Sequence, residues 1–145
     1  MNTNTPTQAN ITGDERGQAM LEFAGSIIIF LMLYLFFITI GLRIADYSAV
    51  QKVARDGGRQ AVMTGDINKG LEKARQTAWM WKLDPDKTDI YFYSSNYGQR
   101  SFITCETKYR SSPFSRMFPA LVGGQPVDEK ILTGKATFGW YDYEH

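Results

Sequence analysis

The chain has 145 residues, with 16 Lys and Arg against 15 Asp and Glu, so its net charge at pH 7 is +1. This balance gives no electrostatic reason to expect nucleic acid as a partner. One Cys and one His exclude an intrachain disulfide framework, a zinc cage and a Cys–His nucleophile pair. The length allows one compact domain with an appended segment. We expect no metal, no cofactor and no small-molecule substrate.

The N-terminal segment is polar. Its first seventeen residues, MNTNTPTQANITGDERG, are rich in Asn and Thr and have no apolar centre of their own. A segment of this composition buries too little apolar surface to offset the entropy of ordering it. We therefore expect an unstructured leader.

An uncharged stretch of twenty residues follows, FAGSIIIFLMLYLFFITIGL, from Phe23 to Leu42 between Glu22 and Arg43. A helix of this length covers about 30 Å, the thickness of the hydrocarbon core of a bilayer. The stretch is apolar on every side, which excludes an amphipathic surface helix. A cleaved secretory signal fits less well, because its apolar region is about 7–15 residues long and ends at a small-x-small site. The sequence predicts a transmembrane helix.

The charges that flank this span favour a cytoplasmic C-terminal part. One basic residue, Arg16, precedes the span, and four follow it: Arg43, Lys52, Arg55 and Arg59. Flanking Lys and Arg residues are retained on the cytoplasmic side. Taken alone, the charge bias therefore places residues 43–145 in the cytoplasm.

Beyond Arg43 the pattern becomes amphipathic. Apolar residues that recur at three- and four-residue steps are expected to form one buried face: Ile44, Tyr47, Val50, Val53, Ala54, Ala61 and Val62. We predict that one helix of about 45 residues continues out of the bilayer. At the usual rise per residue it is about 70 Å long. It is predicted to end at Thr64–Asp66, where a Gly is followed by a capping residue.

The remainder predicts a second helix and a sheet. The helix is expected over Ile67–Lys82, with Trp79 or Trp81 on its apolar side, before Asp84-Pro85 ends it. Runs of β-branched and aromatic residues between turn residues predict three strands, Ile90–Tyr93, Phe102–Tyr109 and Ile131–Tyr141, with turns at Ser94–Gly98 and Gly123–Pro126. The fold class is α+β: a long transmembrane helix continuing into an amphipathic helix, a second short helix and a small antiparallel sheet.

Aromatic residues and the lone thiol are expected to be structural. The three Trp residues (79, 81 and 140) and the many Tyr and Phe residues are predicted to pack in the core and on the sheet rather than to bind a ligand. Cys105 is expected to be a buried, inert thiol, with an intermolecular disulfide as the alternative.

One loop is a candidate contact surface. Residues 111–126 are expected to form an irregular loop containing Phe114, Met117 and Phe118. Apolar side chains of this size mark an interaction surface if nothing covers them.

Glu22 stands directly before the span and fifth after Gly17. A carboxylate in lipid costs several kcal/mol unless it is neutralised or paired. In a helical bundle, the α-amine created by cutting after Gly17 could pair with Glu22 of a neighbouring subunit and set the axial register. The alternative is that Glu22 marks the water interface at the end of a membrane helix.

The stretch from Glu15 to Gly65 resembles the N-terminal region of TadE-like pseudopilins, minor pilin-like proteins of the tight-adherence (Tad/Flp) branch of type IV pilus systems. The shared pattern is a Gly before a short segment ending in Glu-Phe, here Glu22-Phe23, then the span and an Ala/Arg/Gly-rich helix resembling Val53–Arg59. Phe102–Tyr109, the Pro-containing loop and the last strand resemble the usual ending of this family less specifically.

The resemblance implies a processing site and a topology. A prepilin peptidase would cut between Gly17 and Gln18 on the cytoplasmic side of the inner membrane, which overrides the charge bias. This divides the chain into a leader (1–17), a transmembrane and assembly helix (18–42) with Glu22 and Phe23 at its head, and a periplasmic pilin-like α+β domain (43–145). Gln18 departs from the family pattern, because a small residue or Phe is more usual there.

The combined interpretation is a non-enzymatic structural subunit that takes part in pilus assembly and surface adhesion. Its expected partners are the prepilin peptidase, other pilin or pseudopilin subunits, the inner-membrane assembly platform and the lipid bilayer. One alternative is an uncleaved, membrane-anchored binding module in an envelope or secretion complex, which would keep residues 1–17. The other is an anchored enzyme, although the sequence has no paired carboxylates, phosphate-binding glycine loop or nucleophile elbow.

Overall fold

The computed structural model describes residues 11–97 and 100–141. Residues 1–10 of the predicted leader, and Gly98 of the predicted turn, lie outside the described residues. The chain divides into two compact units, Met1–Ile38 and Thr39–His145. Helix α1 (Ile11–Thr64, 54 residues) contributes to both.

Helix α1 begins earlier than the sequence predicts. It includes residues 11–17, so the expectation of an unstructured leader is wrong for this segment, and the helix exceeds the predicted length of about 45 residues. The leader sequence has no Pro after residue 6 that would stop the helix.

In the first unit, the surface of α1 is uncovered. Every residue from Gly17 to Tyr34 is exposed. The helix contains an 18-residue window with a mean hydropathy of 2.5, none of which is buried. By length and composition it can cross a membrane, and the prediction of one apolar helix near the N-terminus is confirmed.

In the second unit, two further helices and a three-stranded antiparallel sheet follow α1, and the α+β fold class is confirmed. The elements are α2 (Ile67–Met80), a 3₁₀ turn (Pro85–Lys87), β1 (Thr88–Tyr97), β2 (Arg100–Ser111), α3 (Pro113–Met117) and β3 (Lys130–Tyr141). The strand order is β1-β2-β3. The short helix α3 forms part of the segment predicted to be an irregular loop, where Pro113 begins the helix.

The strands are longer than predicted. Cys105 of the central strand β2 lies opposite Phe92 of β1 and Ala136 of β3. The pairing continues to Tyr97↔Arg100, so Ser94–Tyr97 belong to β1 and not to a turn. Ser and Asn have a weak preference for strands, but this preference depends on the surroundings of the residue in the sheet. Here the hydrogen bonds between β1 and β2 outweigh it.

One face of the sheet is covered by helices. Along β2, alternate residues are buried: Ile103, Cys105, Thr107, Tyr109 and Ser111. This is the alternation of a strand with one covered face. Val50 and Val53 of α1 and Ala74 and Ala78 of α2 join Tyr109 and Leu132 in the hydrophobic core.

Small residues set how closely the elements approach. A Cβ added at Gly70 of α2 would lie 2.6 Å from the Cβ of Ala61 in α1, and one at Gly57 would lie 2.8 Å from the Cβ of Ala74. On the sheet side, a Cβ at Gly134 would lie 2.6 Å from the carbonyl oxygen of Val50. These contacts leave no room for a side chain, because protein interiors are packed to crystal density.

The junction between α1 and α2 forms as predicted. Helix α1 ends at Thr64, and Gly65 adopts a positive φ of 63°, the left-handed conformation typical after a helix end. The Asp66 side chain then accepts a hydrogen bond of 2.8 Å from the backbone N–H of Asn68.

The prediction that Trp79 or Trp81 lies on the buried side of α2 is wrong. Trp79 is 79% exposed and Trp81 is also exposed. The residues of α2 that are buried are small: Gly70, Ala74, Thr77 and Ala78. A Trp ring does not fit where two helices approach this closely, and the Trp81 ring instead lies 5.3 Å from the Lys52 ammonium nitrogen.

Other large side chains also lie outside the core. Tyr91, Tyr93 and Tyr97 of β1 are exposed and lie outside the core, and the Tyr97 ring packs on the sheet with its centre 6.5 Å from that of Phe102. On α1, Ile44 and Tyr47 are exposed, although the periodicity placed them on the buried face with Val50 and Val53. Asp46, which lies between them, is buried against Ser111 of β2, so near this end of α1 the covered face passes through Asp46 rather than through Ile44 and Tyr47.

We expect Gly134→Ala to destabilise the second unit by about 1–3 kcal/mol, because the new methyl group overlaps the Val50 carbonyl. Thermal unfolding of the detergent-solubilised chain, followed by circular dichroism, measures the change. Thr133→Ala, at the exposed neighbouring position of β3, is the matched control. Equal stability of the two variants would contradict the close approach.

Candidate functional site

The predicted processing and assembly residues lie together on α1. Gly17, Gln18, Glu22 and Phe23 are all exposed. The Gln18 side-chain amide donates a hydrogen bond of 3.2 Å to the Glu22 carboxylate, one helical turn away. The backbone carbonyl of Glu22 accepts a second hydrogen bond, of 2.8 Å, from the Ser26 hydroxyl. Glu22 and Phe23 are therefore accessible to another molecule at the head of the apolar stretch.

Among the residues that the structure describes, no atom packs on Gly17. A Cβ added there would meet none of them within 4 Å, and the same is true of Gly25. This contrasts with Gly70 and Gly134, where neighbouring atoms leave no space.

A buried carboxylate on α1 holds the end of β2. Asp46 is 7% exposed, and its side chain accepts a hydrogen bond of 2.6 Å from the Ser111 hydroxyl. The Arg116 guanidinium of α3 lies 3.4 Å from the other carboxylate oxygen, and it also donates to the Tyr109 hydroxyl at 3.4 Å. A buried carboxylate requires partners of this kind, because its desolvation is costly.

A second carboxylate organises the segment between β2 and β3. Asp128 accepts hydrogen bonds from the backbone N–H groups of Phe114 and Ser115, at 2.8 and 3.0 Å, and from the Ser115 hydroxyl at 2.6 Å. The Arg43 guanidinium donates to the Asp128 backbone carbonyl at 2.7 Å and lies 3.5 Å from the carboxylate. Arg43 therefore fastens this segment to α1, just after the apolar stretch ends.

The Asp128 carboxyl has a lowered pKa. Burial alone would raise it, but the hydrogen bonds from the Ser115 side chain and from the backbone of Phe114 and Ser115 favour the charged form and outweigh burial. This carboxylate stabilises the fold in its ionised state.

The Arg43–Asp128 and Asp46–Arg116 pairs are absent from the sequence-based predictions. The sequence shows Arg43 and Asp46 one turn apart after the span, but their partners lie 85 and 70 residues downstream. No spacing rule links residues at such distances, and only the folded sheet brings them together.

The predicted contact surface is partly covered. Phe114 and Phe118 are half-buried with ring centres 5.4 Å apart, whereas Leu121 and Val127 of the same connection are 73% and 67% exposed. The apolar surface that remains free is therefore formed by residues other than the two Phe side chains.

Cys105 is a buried free thiol, as predicted. Burial raises the pKa of the Cys105 thiol to about 11. The thiol therefore stays protonated at neutral pH, and its position inside the domain opposes the alternative of an intermolecular disulfide.

Comparison with known families agrees with the sequence resemblance. The model of the family described as TadE-like protein matches residues 17–59, so this part of the chain is a TadE-like segment. The match starts at Gly17, includes Glu22 and the apolar stretch, and ends in the part of α1 that packs on α2 and the sheet. No curated protein and no solved structure matches the chain.

The family match indicates a class of protein. TadE-like proteins are structural proteins associated with Tad pili, and the family is not known for enzymatic activity. The match therefore supports a minor pilin-like role in a pilus system, with pilin-type partners and a single-pass membrane anchor near the N-terminus.

Asp128→Asn should lower the free energy of unfolding at neutral pH by about 1–2 kcal/mol, since the amide replaces one acceptor oxygen and removes the charge. The folded pKa of Asp128 lies below its ordinary value of 3.8. Its stabilisation is therefore present above that value and is lost as the pH falls through the folded pKa. Below about pH 4 the difference between wild type and variant should shrink.

Chemical denaturation across pH values from acid to neutral measures this difference. Glu129→Gln, at the exposed neighbouring carboxylate, is the control and should leave the stability difference small throughout. A constant difference between Asp128→Asn and wild type down to low pH would contradict the role assigned to the carboxylate.

Proposed function

We propose that this protein is a TadE-like minor pilin-like subunit that takes part in assembling a Tad/Flp-type type IV pilus and in surface adhesion. The observation that carries the proposal is an uncovered, uncharged stretch of α1 headed by an exposed Glu22, inside the segment that matches the TadE-like family. In this role the chain is structural and has no catalytic step.

The first step is insertion in the inner membrane. The apolar stretch spans the bilayer with residues 1–17 in the cytoplasm and residues 43–145 in the periplasm. This topology opposes the Lys and Arg bias after the span, and it follows from the need of a prepilin peptidase to reach the leader.

The second step is removal of the leader between Gly17 and Gln18 by the prepilin peptidase. Two features support this site. Gly17 is exposed and a Cβ built there meets no described atom within 4 Å, and the family match begins at Gly17 and includes Glu22-Phe23. Cleavage would shorten α1 and leave a free α-amine on Gln18.

The third step is assembly on the inner-membrane platform with other pilin or pseudopilin subunits. Helices of neighbouring subunits replace lipid around the apolar stretch of α1, where packing between helices holds the bundle together. The Glu22 carboxylate pairs with the α-amine of a neighbouring subunit in an environment that excludes water, so the pair fixes the axial register. The second unit then provides contacts at the surface of the pilus.

The alternative of an uncleaved, membrane-anchored binding module differs in one observable. Such a module would keep residues 1–17 joined to α1, which is continuous through the Gly17–Gln18 bond in the uncut chain. The mass of the mature chain therefore separates the two functions.

In cells of the native host, we expect the wild-type chain to lose residues 1–17 and the Gly17→Leu chain to retain them. The reason is that a bulky side chain at position 17 blocks the peptidase, whereas a Cβ built there meets no described atom within 4 Å. Intact mass of the purified chains measures the result. Gly25→Leu is the matched control, because a Cβ there is equally free, and it should be processed normally. A wild-type chain that still carries residues 1–17 would favour the uncleaved module.

A further inference from the structure

Contacts between α1 and the sheet define which end of the second unit lies nearest Arg43. Along α1, Asp46 contacts Ser111, which pairs with Lys130 at the start of β3. Val50 contacts Gly134, and Gly58 faces Phe138 further along β3. Within the second unit, β3 therefore runs in the same direction as α1, and the connection between β2 and β3, residues 112–129, lies at the end that contacts Arg43.

Arg43 fixes the position of this connection. It is the first charged residue after the uncharged stretch, and its guanidinium holds Asp128 through the contacts at 2.7 and 3.5 Å. In a chain anchored by α1, a charged residue at this place lies at the headgroup level of the bilayer. The residues attached to Arg43 are therefore held at the membrane surface.

The connection has the composition of a membrane-interface segment. Residues 117–127, MFPALVGGQPV, contain no charged side chain. Leu121 and Val127 are the most exposed apolar side chains of the segment, and Met117 is also exposed. On α1, Ile44 and Tyr47 just beyond Arg43 are also exposed, and Tyr is enriched at membrane interfaces.

The backbone of the segment is also suited to a medium with little water. The backbone N–H groups of Leu121, Gly124 and Gln125 donate to the carbonyls of Phe118, Pro119 and Val122 at 3.1 Å each. Gly123 and Gly124 adopt positive φ angles of 61° and 76°, which close this turn. These three donors do not need water, which lowers the cost of moving the tip out of water.

We propose that residues 117–127 form a second membrane contact, in which Leu121 and Val127 insert into the lipid interface on the side of the bilayer where α1 emerges. The partner is the lipid surface itself. This contact restricts rotation of the second unit about the end of the span while the protein awaits assembly. The proposal rests on the anchoring role of α1 and does not depend on cleavage after Gly17.

A spin-label experiment tests this contact with the full chain in vesicles of phosphatidylethanolamine and phosphatidylglycerol. Leu121→Cys carries a nitroxide at the tip, and Asn96→Cys carries one at the opposite end of the sheet, where Asn96 is exposed. Ile29→Cys reports whether the apolar stretch is itself in lipid. Cys105 is buried, so labelling without denaturant leaves it unmodified, and the unsubstituted chain measures the background.

Collision rates with oxygen, which concentrates in lipid, and with a water-soluble nickel chelate give the outcome. We expect the oxygen-to-nickel ratio at position 121 to be severalfold higher than at position 96 and to approach that at position 29. A high oxygen-to-nickel ratio at position 29, typical of lipid, together with a low ratio at position 121, typical of water, would overturn the second membrane contact. The anchoring role of α1 would stand.

The remaining outcomes are also decisive. Aqueous ratios at both 29 and 121 would overturn the anchor and this contact together. Low collision rates with both reagents at position 121 would place a protein surface against the tip, such as a second copy, and would also overturn the lipid assignment.

Discussion

The structure depends on one constraint, which is that most of the uncharged stretch of α1 is exposed among the residues that the structure describes. The positions described as exposed run without interruption from Gly17 to Tyr34, and an apolar surface of this size is not stable in water. It must be covered by lipid or by other helices. Under the proposed function, lipid covers this surface in the membrane and other helices cover it in the filament.

The second unit is built on the continuation of the same helix. Gly57 and Gly70 let α1 and α2 approach closely, and Gly134 lets β3 approach α1 at Val50. At the end nearest the span, Arg43 and Asp46 fasten the β2–β3 connection and the end of β2 to α1 through charged pairs. The part of the matched segment that follows Leu42 therefore supports the second unit, whereas the part up to Leu42 is mostly exposed.

The sequence predicts the features that depend on local pattern. The apolar helix, the α+β class, the helix end at Thr64 and a buried Cys105 are confirmed, since periodicity, capping residues and composition determine them. Local patterns do not predict contacts between residues that are far apart in the sequence. Trp79 is exposed because α2 packs through small residues, and the pairing of Arg43 with Asp128 follows only from the sheet. The helical structure of residues 11–17 reflects continuation of α1 into a polar segment.

Two assignments from the sequence stay predictions. One is the processing site at Gly17 and Gln18, and the other is the assembly role of Glu22 and Phe23.

The charge on Glu22 is the most direct point at which to test the account, because it is the feature of α1 that lipid anchoring alone does not require. The measurement is the amount of Glu22→Gln chain in sheared, purified filaments from the native host, together with the N-terminal residue of the chain in the membrane. Glu72→Gln, at an exposed carboxylate of α2, is the control. The account predicts that the Glu22→Gln chain begins at Gln18 in the membrane but is depleted severalfold from filaments. Incorporation at the wild-type level would contradict it.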